Sequence, residues 1–502
     1  MLVVMMFTMA AKITGFLRET VLASRFGVSA ITDAYKTAFD IPCIFLSVIV
    51  TAMSATLIPT YSTQLQQGRE KADRFIRNLF TIGLALSAVI LGLTLAMLDT
   101  LVCRFFLPGA SSEAQQLTIR LSRIMLAMGF FTFLARTSTA YLQANFRFAV
   151  PAVSQVMLNL SIIVFIIISA GENIELVAVG TLIGWVLQFA VQIPSMYRCG
   201  LRPKPVFDLK DPGVREVATL MLPVLLSSAF DQVYIVVDRA VASAATGGIT
   251  ALDYGNRIST MVSSVLLTSI ATVLYPTLVK NTEDREKFSR TLSFGVNLNL
   301  LIAVPAIFAL TLLRVPVTRL IYERGAFTAE NTLLTSSTLA CYSCGILGVG
   351  LREIGNRCFY AYKKTRIPTI VGIVVVLLNV VLDIALYPVW GAAGIAAATA
   401  ISSTISGATL LFMLHKQLGV IDVKRLLTCL WKVLAATAAM CAVLLALSSV
   451  LNLSAATGKA FVLSMFGVIV VGVIVYAVML LLLKTEELKS ALDMVKSKLR
   501  RS

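Results

Sequence analysis

Long apolar segments alternate with short polar ones along the whole chain. A helix needs about 20 mainly apolar residues to cross the hydrocarbon core of a bilayer. The pattern predicts fourteen such helices, at residues 2–24, 31–61, 77–102, 119–143, 149–170, 174–197, 214–243, 248–279, 291–313, 331–361, 367–387, 390–415, 426–450 and 460–483. The predicted fold class is therefore an all-α polytopic membrane protein.

Composition supports the same class. The 502 residues are 58% hydrophobic and only 14% charged, with a mean hydropathy of +0.86, which excludes a soluble domain of this length. The first span carries charges in its middle and has no basic leader, so it is not expected to be a cleaved signal peptide.

Basic residues in the predicted loops give an orientation. Loops after even-numbered spans carry most of them, for example at Arg74, Lys204, Lys287, Lys364 and Lys424. Because cytoplasmic loops are enriched in Lys and Arg, both termini are predicted to be cytoplasmic. The net charge of +17 is spread over many short loops, which indicates contact with membrane lipids and excludes a nucleic-acid partner.

An internal repeat predicts the domain organisation. Segment 22–61 resembles 241–278, and 147–165 resembles 366–384. Two pseudo-symmetric six-helix lobes are expected at 1–200 and 213–417, with the cargo site between them. Two additional transmembrane helices follow at 424–483, and residues 484–502 are predicted to form a cytoplasmic amphipathic tail.

Three cations interrupt the apolar spans: Lys12, Arg18 and Arg257. A charged side chain at bilayer depth costs at least roughly 2.5–3.5 kcal/mol, so it normally faces the protein interior or a water-filled cavity. Cations that converge there would bind an anionic cargo. The alternative is a set of structural ion pairs with Glu19, Asp33 or Asp253.

Several motifs resemble a known family. The opening GFLRETVLASRFGVSAITDAYKTAFDIP is similar to the signature of the MurJ lipid II flippases, in the multidrug/oligosaccharidyl-lipid/polysaccharide exporter (MOP) superfamily. DRAVAS at 238–243, YERGAFTAENT at 322–332 and FYAYKKTRIP at 359–368 support the resemblance. It implies a transporter rather than an enzyme, acting in peptidoglycan biosynthesis, cell-wall biogenesis and cell shape.

The resemblance also implies a mechanism and a site. Lipid II would move from the inner to the outer leaflet by alternating access, its pyrophosphate held in a cationic cavity, with the cell-wall synthesis machinery as a further partner. The substrate-binding residues implied are Lys12, Arg18, Glu19, Asp33 and Arg257.

The chain departs from the family pattern at three positions. Lys12 stands where arginine is usual, and lysine keeps the charge but lacks the planar fork that grips phosphate oxygens in pairs. Leu46 and Thr51 lie near the usual places of a further arginine and a glutamate. An arginine at Leu46 is expected to be tolerated if the cavity faces that position.

A second set of polar residues suggests a cation site. No other cofactor is expected. Asp238, Asn379, Asp383 and Thr399 offer only oxygen ligands, which suit a hard cation, and the resemblance implies sodium. The alternative is an interhelical hydrogen-bond cluster, with Asp238 paired to Arg239 or Arg257.

Two other functions stay open at this point. The first is export of another undecaprenyl-linked polysaccharide precursor, and the second is cation-coupled multidrug antiport. A drug antiporter would favour an acidic, aromatic-lined cavity, whereas this chain is 8% aromatic and places cations in its spans. With a single histidine, His415, a hydrolase or ATPase site is hard to build.

Overall fold

The computed structural model describes residues 2–202, 204–418, 423–451, 453 and 458–485, and within them all regular secondary structure is helical. The helices are α1 (Leu2–Phe26), α2 (Ala30–Gln66), α3 (Arg69–Ala96), α4 (Leu98–Thr100), a π-helical turn (Leu101–Phe106), α5 (Ser112–Leu126), α6 (Met128–Ala144), α7 (Ala149–Ile168), α8 (Ile174–Ala190), α9 (Ile193–Arg198), α10 (Pro212–Ala242), α11 (Gly248–Lys280), α12 (Arg285–Leu312), α13 (Arg314–Tyr322), α14 (Ala329–Cys344), α15 (Ile346–Ala361), α16 (Arg366–Trp390), α17 (Ala392–Leu418), α18 (Val423–Val450) and α19 (Gly458–Leu482). Nearly all of the predicted amphipathic tail, 484–502, lies outside the described residues.

The polytopic all-α class is confirmed. Ten helical segments among the described residues are long and apolar enough to cross a membrane, or eleven if α5 and α6, which bend by 45°, form one span. Helices α1, α10 and α11 have 25, 31 and 33 residues, which is also enough length to cross. The count of fourteen crossings stays a prediction.

Polar residues just before the helices explain where several of them begin. The Ser29 hydroxyl accepts a hydrogen bond from the Thr32 amide at the start of α2, at 3.3 Å. The Asp211 carboxylate accepts from the amides of Gly213 and Val214 at the start of α10, where Pro212 occupies the first helical position. Such side chains satisfy backbone amides that have no partner within the helix.

The first compact unit contains residues 1–250 and 324–328. Helix α2 packs against α3, α5, α6 and α10, while α1 packs against α7. One of its cores joins Phe75 and Leu79 of α3 with Tyr141 of α6 and Met196 of α9. Helix α10 therefore belongs to this unit, although the repeat assigned it to the second lobe, and the six-helix lobe boundaries stay a prediction.

The second compact unit contains residues 251–323 and 329–502. Helix α12 packs against α14, α15 and α18, and α17 packs against α14, α15 and α16. The two additional helices share a core with this unit, because Val433 of α18 and Leu480 of α19 cluster with Leu300 and Leu301 of α12. The Tyr476 hydroxyl donates to the carbonyl oxygen of Leu301 at 2.7 Å.

Candidate substrate-binding site

A chain of charged side chains joins α1 to α2. Arg18 pairs with Glu19 at 2.5 Å, and Glu19 also pairs with Lys36 at 3.3 Å. The three side chains are 18%, 13% and 9% exposed, so the cluster is largely withdrawn from solvent. The Glu19 carboxylate thus lies between two cations, one on each helix.

Asn159 of α7 holds this part of α1 in place. Its carbonyl oxygen accepts from Arg18 at 3.4 Å, and its amide donates to the Ala11 carbonyl and to the Thr14 hydroxyl at 3.2 and 3.3 Å. Asn159 is 2% exposed, so these hydrogen bonds satisfy a buried amide and fix the rotation of α1 against α7.

Lys12 lies on the same helix but differs from Arg18. Its side chain is exposed and has no hydrogen bond or ion pair within the described part of the chain. Arg257 of α11, in the second unit, is likewise exposed and without such a partner there. The alternative of structural ion pairs therefore applies to Arg18, which is paired with Glu19, and not to Lys12 or Arg257.

The Asp33 carboxylate accepts hydrogen bonds mainly from the backbone. It accepts hydrogen bonds from the Gly247 amide at 2.7 Å, the Thr250 amide at 2.7 Å and the Thr250 hydroxyl at 2.5 Å. Asp33 is 7% exposed, and its three donors lie at the start of α11. This geometry indicates a capping role, and a role in substrate binding stays a prediction.

Sequence reasoning missed two charged residues of α2. Lys36 belongs to the cluster of Arg18 and Glu19. Asp40 accepts a hydrogen bond from Nε of Arg239 on α10 at 2.9 Å and forms an ion pair with its Nη2 at 2.6 Å. A signal was available, because Asp33, Lys36 and Asp40 are spaced three and four residues apart and so share one face of an apolar helix.

The two positions where the chain departs from the family pattern on α2 have different surroundings. Leu46 is fully buried, and a Cβ added to Gly129 of α6 would lie 2.7 Å from its side chain. Thr51 is exposed. The packing of Leu46 against α6 argues against an arginine at this position, and the expectation that arginine would be tolerated there stays untested.

The predicted cation ligands lie in both compact units. Asn379 and Asp383, one turn apart on α16, are 5% and 0% exposed, and the Asn379 side-chain nitrogen has no hydrogen-bond partner among the described residues. The Thr399 hydroxyl donates to the Ile395 carbonyl at 3.2 Å. Asp238 lies on α10 beside Arg239, which pairs with Asp40.

The oxygen-only chemistry of the α16 residues fits a hard cation. A buried carboxylate requires a compensating charge or hydrogen bonds, which a partner within the protein or a bound cation can supply. In the described ranges, no group of three or more His, Cys, Asp and Glu side chains has metal-binding geometry. The predicted set has only two carboxylates, so that observation does not decide the sodium hypothesis.

Comparisons with known proteins agree across sequence and structure. The model of the family "Lipid II flippase MurJ" matches residues 22–466. A probable lipid II flippase MurJ of Rickettsia prowazekii is 28% identical over 404 residues, which cover 79% of each chain. The lipid II flippase MurJ of Burkholderia cenocepacia is 26% identical over 425 residues, covering 82% of each.

Solved structures extend the match. A lipid II flippase MurJ in an inward closed conformation superposes with a TM-score of 0.80 at 27% identity, covering 95% of this chain and 98% of that one. An inward-facing multidrug resistance MATE transporter of the MOP superfamily gives a TM-score of 0.67 at 16% identity, covering 83% and 98%. The second likeness shows the fold alone, and the alternatives of a drug antiporter or another exporter are not favoured. This chain belongs to the MurJ family of lipid II flippases, a family of membrane transporters and not of enzymes.

Proposed function

We propose that this chain carries lipid II from the inner to the outer leaflet by alternating access, with Lys12 and Arg18 binding the pyrophosphate. The environment of Lys12 supports the proposal most directly. Lys12 is an exposed cation midway along α1 without a partner among the described residues. At bilayer depth such a charge is costly unless water or an anion compensates it, and a pyrophosphate would do so.

Arg18 would contribute in a different way. Its guanidinium has five donors, and its contact with Glu19 orients the planar group on α1. Glu19 also pairs with Lys36 of α2. Glu19 would thus position the cations, while Arg257 in the second unit stays a further predicted binding residue.

The test is lipid II translocation in spheroplasts by Lys12 variants, with membrane abundance measured for each. The Lys12→Gln variant should reach the membrane normally, because removing the lysine charge breaks no ion pair. Its affinity for the cargo should fall roughly ten- to hundredfold. Lys12→Arg is the matched control and should remain active, since it keeps the charge and adds the fork. Full translocation by Lys12→Gln would refute the role of Lys12.

Arg18→Gln requires a second measurement, because it also breaks a partly buried ion pair. Its unfolding temperature should fall, and Arg18→Lys should restore part of that stability. If Arg18 binds cargo, translocation normalised to folded protein should still fall for Arg18→Gln. A purely structural role would leave the normalised rate unchanged.

We further propose that sodium binds Asp238, Asn379, Asp383 and Thr399 and couples to transport. The buried, closely spaced oxygens of Asn379 and Asp383 support this. The termini are proposed to be cytoplasmic, which rests on the distribution of basic loops. Contact with the cell-wall synthesis machinery is proposed on family membership alone.

A further inference from the structure

A cavity separate from the α1 cluster lies in the first unit, with a volume of about 410 Å³. Its lining is largely apolar and includes Leu84 of α3, Leu134 of α6, Phe189 of α8 and Ile193 of α9. Three cations also line it, Arg77, Arg202 and Lys204. An apolar lining with cations beside it is complementary to a molecule with an acyl chain and an anionic head.

The cavity lies at the ends of predicted spans rather than in their middle. Arg77 is in the first third of α3, and α9 ends the candidate span Ile174–Arg198. Helix ends of this kind lie at the depth of the lipid headgroups. Arg202 and Lys204 belong to one of the basic loops, so the cavity faces the leaflet that this loop contacts.

Side chains of α3 fix the position of the loop that contains Arg202 and Lys204. Asn78 donates to the Asp208 carbonyl at 2.6 Å and accepts from the Asp208 amide at 2.9 Å, and the Val206 amide donates to the Thr81 hydroxyl at 3.2 Å. Asn78 is fully buried. The loop therefore lies along α3 in a set position, and the cavity does not need to be formed by the ligand.

Two of the three lining cations are not neutralised by a carboxylate. Arg77 donates to the Asp73 backbone carbonyl at 3.1 Å and interacts electrostatically with the Asp73 carboxylate. Arg202 and Lys204 are exposed and have no ion pair among the residues that the structure describes. Cations beside an apolar opening raise the local concentration of anions. Each basic residue near a membrane surface strengthens binding to anionic lipid.

We propose that this cavity binds an anionic phospholipid, with one acyl chain against Leu84, Leu134 and Phe189 and the phosphodiester at Arg202 and Lys204. The volume is in the range of small-molecule sites, about 300–1,000 Å³. The apolar lining favours a lipid over free phosphate, because phosphate would gain no binding free energy from apolar contacts. The site is independent of the proposed cargo cations on α1.

The test uses the full chain purified in a neutral detergent, titrated with dioctanoyl phosphatidylglycerol while thermal unfolding is followed. A ligand that binds only the folded state raises the midpoint with concentration. Arg202→Gln/Lys204→Gln should require roughly thirtyfold more lipid for the same shift, because two basic contacts are lost. Leu84→Trp, which adds bulk to the apolar lining, should weaken the response without any change in charge.

The matched control is Lys210→Gln/Arg215→Gln, which removes the same charge from the adjoining segment outside the cavity and should respond like the wild type. An equal loss in both double variants would overturn the proposal in favour of general surface attraction. Equal stabilisation by inorganic phosphate would identify a phosphate site instead of a lipid site. Displacement of the phospholipid by lipid II at equal concentration would assign the cavity to the cargo and also overturn the proposal.

Discussion

The Thr250 amide and hydroxyl both donate to one carboxylate oxygen of Asp33, at 2.7 and 2.5 Å. Asp33 lies near the beginning of α2 and Thr250 in the first turn of α11, 217 residues apart. The first amides of a helix lack partners within it, and their dipoles favour a negative charge nearby. The side chain of one helix thus caps the start of another.

Removing this cap should destabilise the folded chain. Asp33→Ala leaves buried donors unsatisfied and is expected to cost about 1–3 kcal/mol, whereas Asp33→Asn should cost less because one acceptor oxygen remains. The measurement is thermal unfolding in detergent. Asp99→Asn is the control, since Asp99 is 71% exposed and surface pairs contribute little. An Asp33→Ala protein as stable as the wild type would contradict the capping role.

Positions 46 and 51 should respond oppositely to the residues that the family usually carries. Leu46→Arg places an unpaired charge in a fully buried position and should cost several kcal/mol, with loss of folded protein from the membrane. Thr51→Glu should be tolerated, because Thr51 is exposed. Size-exclusion profiles of the two variants, made in parallel, provide the comparison. A monodisperse, abundant Leu46→Arg protein would show that the surroundings of Leu46 open in another conformation.

Sodium should stabilise the purified protein if the proposed cation site exists. The shift in unfolding temperature should grow with sodium concentration and exceed that in potassium or choline. Asp383→Asn should abolish the difference between the salts. Glu286→Gln, which alters a carboxylate that is 76% exposed, should preserve it. Equal effects of all three salts on the wild type would leave only a hydrogen-bond cluster.

The proposed orientation predicts one side of the membrane for the basic loops. Reporter fusions at Arg74, Lys204 and Lys364 should all report the cytoplasm, since each lies in a loop or helix end rich in Lys and Arg. A fusion after Arg324 should report the opposite side. An external signal from any of the first three would overturn the assignment.

The length of the apolar segments predicts most of the helices. Unpaired backbone amides and carbonyls cost free energy in lipid, so a long apolar segment has few alternatives to a helix. The 119–143 segment shows where this fails: it is two helices, α5 and α6, bent by 45° at a position without proline. The bend depends on packing that no local pattern records.

The charged cluster was predicted only in part for a similar reason. Arg18 and Glu19 are adjacent in sequence, so their pairing was foreseeable. Asn159 contacts Arg18 across 141 residues, and Asp40 contacts Arg239 across 199. Contacts of that separation depend on tertiary structure, and a single sequence carries no signal for the choice of partner.

The hydroxyl of Tyr476 on α19 contributes a polar contact to the attachment of the last two helices. Within lipid there is no hydrophobic driving force that brings apolar helix surfaces together. Attachment therefore depends on close packing and on polar contacts such as that from Tyr476 to Leu301. Separating α18 and α19 from α12 would cost those contacts but expose nothing to water. Lipid chains compete for the same surface, and the position of this helix pair should therefore depend on the thickness and composition of the surrounding bilayer.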